Sequence, residues 1–304
     1  MTSLLLELVK LPIHFFMEIF YFITRCRPLK KIQNQDILIT GAAQGIGAEF
    51  ARQLADMGNR VHLVDLNEKL LLETADSLKS KGLDVYTYTC DLSKKEQVKE
   101  LYNEINSAGF AITFLVNNAG VAFITPITEM TLTQIEHSIA VNLMSSLWLI
   151  KLFLPKMLEM DEGHVLNVAS LAGKFAMELS TDYCAAKAGS IHMIEQLRAQ
   201  YCNSQVKFSV VCPWFVDTKM ISGVDLRSVR AVSPEFVVLN AIKGVRENKE
   251  VICVPNYINN ILSPLNMILP AYLKNAMRKK RHAIMEQSGV LDKIVGQQMA
   301  ETIK

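Results

Sequence analysis

Short apolar runs alternate along the chain with longer stretches in which apolar residues recur every three or four positions. The run from Gln35 to Thr40 predicts a strand, and Ile46 to Met57 predicts an amphipathic helix that follows it. The same alternation continues to Val254, which is typical of a parallel sheet with helices on both faces. We therefore predict one α/β domain over residues 35–254, built on a doubly wound parallel sheet of about seven strands.

The first 26 residues are strongly apolar but carry a polar stripe. Polar residues from Ser3 to Arg25 fall on one side of a helix drawn at about 100° per residue. Pro12 interrupts the segment, and its apolar runs are shorter than the roughly 18 residues that suggest a spanning helix. We therefore expect residues 1–26 to anchor the chain in a monolayer, with a spanning helix as the alternative. A cleaved signal peptide is disfavoured because no small-residue cleavage pattern precedes the basic linker, residues 27–34.

A C-terminal helical extension, residues 255–304, repeats this apolar and basic composition. The stretch from Tyr257 to Leu273 is rich in Ile, Leu, Met and Pro. A basic cluster follows it: Lys274, Arg278, Lys279, Lys280 and Arg281. Two interpretations stay open, a helix that closes over a substrate site and a helix that contacts a membrane.

Composition excludes several classes of function. The 304 residues carry a net charge of only +2 and no concentrated basic groove, so we expect no nucleic-acid partner. The six cysteines and six histidines are scattered and show no metal-ligand spacing. We therefore expect no metal and a reducing compartment.

A glycine turn joins the first predicted strand to the first predicted helix. Gly41, Gly45, Ile46 and Gly47 lie where the chain would pass closest to a bound pyrophosphate, at a helix N-terminus. The order Gly-x-x-x-Gly-x-Gly meets the general dinucleotide fingerprint only loosely. Asp65 ends the second predicted strand, where a carboxylate binds ribose hydroxyls and repels a 2′-phosphate. This favours NAD over NADP. The alternative is that Asp65 caps the next helix.

Tyr183 and Lys187 form the only Tyr-x-x-x-Lys in the chain, and Ser170 precedes them by thirteen residues. Residues four apart share one helix face, so the phenol and the ammonium would enter the same cleft. A phenol titrates near about 10, but a fixed cation favours its phenolate. We therefore predict that Tyr183 is a general base.

These motifs resemble the short-chain dehydrogenase/reductase family, and the resemblance runs from about Asp36 to Val254. It implies a Rossmann-type fold and a nicotinamide cofactor. Carried over from the family, the catalytic group is Asn142, Ser170, Tyr183 and Lys187, and the cofactor is held by Gly41, Gly45, Ile46, Gly47, Asp65, Asp91, Asn118, Tyr183, Lys187 and Thr218. Asp91 would contact the adenine or simply cap a helix. Trp214 replaces the glycine of the family's Pro-Gly-x-Val-x-Thr, which puts the role of Thr218 in doubt.

Further segments, such as Tyr86 to Asp91 and Val254 to Ile258, resemble the membrane-associated branch with retinol and 17-beta-hydroxysteroid dehydrogenases. The resemblance implies NAD-dependent oxidation of a lipophilic alcohol, retinoid, steroid or fatty, on the endoplasmic reticulum membrane or a lipid droplet, with the catalytic domain cytosolic. It also implies a possible homodimer. An NADPH-dependent carbonyl reductase and a catalytically quiet lipid-droplet scaffold remain the alternatives.

Overall fold

Seven strands form one parallel sheet in the computed structural model, which describes residues 29–221, 230–276 and 279–280. The strands are β1 (Asp36–Thr40), β2 (Arg60–Asp65), β3 (Val85–Thr89), β4 (Ile112–Asn117), β5 (His164–Val168), β6 (Lys207–Pro213) and β7 (Val251–Val254). Their order in the sheet is β3-β2-β1-β4-β5-β6-β7. The chain therefore winds first to one side of β1 and then, from β4 onward, to the other. A crevice opens at the carboxyl ends of the strands where this direction changes.

Helices connect the strands and cover both faces of the sheet. They are α1 (Gly45–Asp56), α2 (Glu68–Lys79), α3 (Lys95–Ser107), α4 (Leu132–Ile139), α5 (Ser145–Glu159), α6 (Thr181–Gln200), α7 (Pro234–Arg246) and α8 (Asn256–Ile268). One apolar core joins the sheet to α1, α2 and α7, and a second joins it to α3, α5 and α6. A sheet buried on both faces explains why its strands read as short, continuous apolar runs. The predicted fold class is confirmed.

A π-helical segment, Ala140–Met144, joins α4 to α5 without a loop. The combined stretch Leu132–Glu159 is the one helix among the described residues that is long and apolar enough to cross a membrane. Half of its most apolar window is buried in the protein. It therefore packs as a core helix here.

Residues 29–34, part of the stretch expected to be a basic linker, pack along the amino ends of the strands. The Lys30 amide donates to the Arg246 carbonyl at 2.8 Å, and the Lys30 ammonium donates to the Gly163 carbonyl at 2.9 Å. Ile32 is 2% exposed and belongs to the first core. Burial lowers the pKa of Lys30 to about 8. This part of the stretch is therefore integral to the fold. The anchor expected over residues 1–26 lies outside the described residues.

Candidate active site

The glycine turn lies at the carboxyl end of β1. Gly41 and Gly45 have φ angles of +63° and +59°, which side chains rarely tolerate. A Cβ on Gly47 would lie 2.0 Å from the Gly41 carbonyl oxygen, so no larger residue fits there. Gln44, the N-cap of α1, makes no side-chain hydrogen bond, and the first turn holds no acidic residue. The N-terminal amides of α1 are therefore available to an anion in the cleft.

Thr40 and Asn118 hold the glycine turn against the end of β4. The Thr40 hydroxyl accepts hydrogen bonds from the amides of Asn118 and Ala119, at 2.9 and 3.0 Å. The Asn118 side-chain amide donates to the carbonyls of Thr40 and Gly41, at 2.9 and 3.1 Å. Asn118 therefore fixes the turn and lies on the wall of the cleft.

Asp65 faces the glycine turn from the end of β2. Its carboxylate accepts from the Ala43 amide at 3.0 Å and from the Asn67 amide at 2.9 Å. The N-cap of α2 is Asn67, whose side chain accepts from the Leu70 amide. Asp65 is therefore not the cap of this helix, and its carboxylate lines the cleft beside the turn.

Asp91 follows β3 and lines the same end of the cleft. Its carboxylate accepts from the amide and the hydroxyl of Ser93, at 2.9 and 2.7 Å. Partial burial raises the pKa of Asp91, but the two hydrogen bonds outweigh it and hold the pKa below its ordinary value. His137 on α4 is close enough to lower this pKa further, and it also lines the cleft. Sequence reasoning overlooked His137 because an isolated histidine carries no spacing signal.

Ser170 and Tyr183 meet at the centre of the cleft. Ser170 follows β5 and caps a short 3₁₀ turn, Leu171–Gly173, by accepting from the Ala172 amide at 3.1 Å. A Cβ on Gly173 would lie 2.7 Å from the backbone of Lys187, so this glycine lets the turn press against α6. Tyr183 lies in the first turn of α6. The Ser170 hydroxyl faces the Tyr183 hydroxyl closely enough to act on its pKa.

Burial sets the ionisation of Tyr183 and Lys187. It raises the pKa of Tyr183 to about 12, and the Ser170 hydroxyl lowers it in part. Burial lowers the pKa of Lys187 to about 8. Lys187 is 4% exposed, and its ammonium donates to the Val168 carbonyl at 2.9 Å and lies 5.5 Å from the centre of the Tyr183 ring. The expected cation therefore lies beside the phenol, but burial is the larger influence on the phenol here.

Asn142 lies behind this pair, within the π-helical segment. Its side-chain amide donates to the carbonyls of Val121 and Ser138, at 2.8 and 3.0 Å, and its oxygen accepts from the Val121 amide at 3.2 Å. A Cβ on Gly120 would lie 2.9 Å from the Asn142 side-chain oxygen and 3.4 Å from the Lys187 nitrogen. Asn142 is therefore fully hydrogen-bonded, and its oxygen faces the same narrow space as Lys187.

Thr218 closes the cleft over the glycine turn. Its methyl group would lie 3.2 Å from a Cβ on Gly45, so it is placed directly opposite that residue. Trp214 donates its backbone amide to the Val254 carbonyl at 2.8 Å, and its ring packs edge-on against Phe215 at 5.1 Å. The loop that carries Trp214 in place of glycine thus still brings Thr218 to the cleft.

Most of the predicted site residues border one cleft of ≈ 1520 Å³, whereas Gly47 and Asn142 do not line it. The apolar residues that follow the cofactor-side motifs in the sequence are expected to line the substrate side: Val121, Ala122, Phe123, Leu171, Phe175, Trp214 and Phe215. Four of them do line the cleft: Val121, Ala122, Trp214 and Phe215. Leu171 is instead buried in the second core, Phe175 packs against that core, and Phe123 packs against the His137 ring. Met177, which the sequence did not indicate, also lines the cleft. The cleft is therefore apolar beyond Tyr183 and polar beside Asp65.

Comparison with known proteins extends these observations. The family model for short chain dehydrogenases matches residues 35–227. Estradiol 17-beta-dehydrogenase 11 of Rattus norvegicus is 30% identical over 265 residues, which cover 85% of this chain and 88% of that protein. Retinol dehydrogenase 10-B of Danio rerio is 32% identical over 269 residues, covering 79% and 80% of the two chains.

Solved structures show the same fold. A short-chain dehydrogenase/reductase from Burkholderia phymatum, in complex with NAD, has a TM-score of 0.71 at 24% identity, covering 78% of this chain and 94% of that one. A metagenomic short-chain oxidoreductase in complex with NADP has a TM-score of 0.63 at 28% identity, covering 73% of this chain and 99% of that one. Of these two proteins, one was solved with NAD and the other with NADP.

Proposed function

Because the chain belongs to the short-chain dehydrogenase/reductase family, in the branch with retinol and 17-beta-hydroxysteroid dehydrogenases, we propose that it oxidises a lipophilic alcohol to the carbonyl with NAD. The observation that carries this proposal is the placement of Ser170 and Tyr183 in the wall of one cleft, with the Lys187 ammonium beside the Tyr183 ring. General acid–base chemistry requires this proximity.

The catalytic roles follow from the contacts. Ser170 would hold the substrate hydroxyl, and the Tyr183 oxygen would take its proton. Lys187 would stabilise the resulting phenolate, because an opposite charge nearby favours the ionised form. Asn142 would position the Val121 loop and offer its oxygen to the space beside Lys187. When bound, the nicotinamide supplies the hydride acceptor.

The polar half of the cleft fits a dinucleotide. The uncapped start of α1 and the narrow turn at Gly47 suit a pyrophosphate. Asp65 would bind ribose hydroxyls and repel a 2′-phosphate, which favours NAD. Asp91 and Asn118 border the same cleft, and Thr218 would contact the carboxamide.

The apolar half of the cleft supports a lipophilic substrate. Trp214 and Phe215 line it together with Val121, and such walls bind apolar ligands. We further propose that residues 1–26 anchor the catalytic domain to an endoplasmic reticulum or lipid-droplet surface, where such alcohols partition. Retinoid, steroid and fatty alcohols all remain candidates.

One feature favours the alternative of an NADPH-dependent carbonyl reductase. Arg52 on α1 lines the cleft, and a guanidinium there can meet a phosphate. However, Arg52 is held by ion pairs with Glu49 and Asp56. Before Arg52 could bind the 2′-phosphate of NADP, Glu49 and Asp56 would have to release it, and the charge of Asp65 would have to be neutralised. We therefore favour NAD.

The test is a panel of retinol, estradiol and hexadecanol, each incubated with the full chain and either NAD or NADP. Carbonyl product identified by mass spectrometry with NAD, and much less with NADP, supports the proposal. Faster turnover of the matching carbonyls with NADPH would favour the reductase. No turnover in either direction, with cofactor bound, would favour the quiet scaffold.

A further inference from the structure

The C-terminal helix exposes one apolar face. Four residues of α8, separated by four, four and three positions, form what we call the apolar stripe: Tyr257, Ile261, Leu265 and Ile268. Their exposed fractions range from 44% to 78%. Residues at this spacing share one face of a helix, so the stripe is a continuous surface. Tyr272 and Leu273, in the short helix that follows, are exposed as well.

The apolar stripe does not close the cleft. None of its four residues lines the cleft, although α8 begins directly after β7 at the edge of the sheet where the cleft opens. The Val254 carbonyl, just before α8, accepts from the Trp214 amide, and Trp214 lines the cleft. Ile258 packs on the same core as Trp214. The inner side of α8 is thus tied to the cleft wall, while the apolar stripe faces outward.

The charge around the apolar stripe has a single sign. The sequence contains no acidic residue between Glu250 and Glu286. Lysines described in this stretch are Lys274, Lys279 and Lys280, and the last two are exposed. A second copy of the chain would bring like charges together, whereas an anionic lipid surface complements both the cations and the apolar face.

We propose that the apolar stripe docks on an anionic membrane surface and holds the opening of the cleft at that surface. A lipophilic alcohol then passes from the lipid to Tyr183 without crossing water. This inference rests on the proposed function for the nature of the substrate. The docking itself does not depend on turnover.

Hydrogen–deuterium exchange of the full chain tests the docking directly. We expect vesicles of phosphatidylcholine with phosphatidylserine to slow exchange in peptides from residues 256–276 by about tenfold, and phosphatidylcholine alone to slow it less. Unchanged exchange with both vesicles would overturn the proposal. If exchange slowed without vesicles, and more so at higher protein concentration, the proposal would also be overturned. The apolar stripe would then bind a second copy of the chain.

A charged variant separates docking from chemistry. Ile261→Glu with Ile268→Glu should abolish the vesicle-dependent protection. It should also reduce turnover of a vesicle-embedded alcohol by about tenfold relative to the same alcohol in detergent micelles.

Leu239→Glu, at an exposed position of α7, is the matched control and should change neither the protection nor the turnover. If the ratio of turnover in vesicles to turnover in micelles were the same in the double variant, the control variant and the wild type, delivery from the membrane would be contradicted. Absence of turnover in micelles would count against the proposed function, and the exchange experiment would still decide on docking.

Discussion

Replacing the buried lysine of the active site should stabilise the protein while it removes activity. The pKa of Lys187 falls from 10.5 to about 8 because burial disfavours its charge. A lowering of this size corresponds to about 3 kcal/mol at neutral pH. Lys187→Met keeps the aliphatic stem and removes that penalty. It also removes the hydrogen bond that the charged ammonium donates to the buried Val168 carbonyl, about 2 kcal/mol. We expect a net gain of about 1 kcal/mol in the free energy of unfolding at pH 7, or about 2–4 °C in Tm.

The stability difference between Lys187→Met and the wild type should depend on pH. Between pH 8 and 10.5 the unfolded chain binds more protons at Lys187 than the folded chain does, so the wild-type protein gains stability as pH rises through that window. Lys187→Met lacks this titration. The stability that Lys187→Met gains over the wild type should therefore be greatest below pH 8 and should disappear by about pH 10.5.

Thermal and urea unfolding of both proteins, at pH 7 and at pH 9.5, measures the effect. Lys151→Met, at an exposed position of α5, is the control and should leave stability unchanged. A Lys187→Met protein that is less stable than the wild type at pH 7, or an advantage that does not change with pH, would refute the reasoning. Turnover supplies the second readout. Because a cation near the ring favours the phenolate, turnover at pH 7 should fall about tenfold or more.

Three further predictions concern the base, the cofactor and the anchor. Tyr183→Phe should lower turnover by about a hundredfold or more with NAD affinity nearly unchanged; turnover like that of the wild type would rule out Tyr183 as the base. Asp65→Ser should narrow the preference for NAD over NADP, measured as the ratio of kcat/KM values, and an unchanged ratio would leave Asp65 the purely structural role of holding Ala43 and Asn67. Deletion of residues 1–26 should release a folded protein from membranes in cell fractionation, unless α8 alone is sufficient to retain it.

The sequence predicts the elements that depend on short-range signals. Strands β1 and β2 were placed correctly because each is a short apolar run. The turn after β1 was placed correctly because of its glycines at 41, 45 and 47. The sequence could not decide whether Asp65 caps α2, since the answer depends on the Ala43 amide, which is 22 positions away in the chain. The adjacent Asn67 takes the capping role instead.

Side-chain direction was harder to predict than element position. Leu171 and Phe175 were expected on the substrate wall because they follow Ser170, yet the 3₁₀ turn directs Leu171 into the core. His137 reaches the cleft because α4 and α5 are joined by a π-helical segment rather than a loop. Such a segment leaves the apolar periodicity nearly intact, so the sequence pattern does not reveal it.

The π-helical segment also limits which insertions and deletions this protein can accept during evolution. An α-helix turns by about 100° per residue, so removing one residue from α4 or α5 would rotate one part of the long helix relative to the other by about that angle. A π-helical turn holds about one residue more than an α-helical turn, so removing one of residues 140–144 would leave the two parts in nearly the same orientation. It would still disturb the hydrogen bonds of Asn142 to the Val121 backbone. In a library of single-residue deletions, we therefore expect deletions within 140–144 to lose activity but keep the fold, and deletions elsewhere in Leu132–Glu159 to lose both.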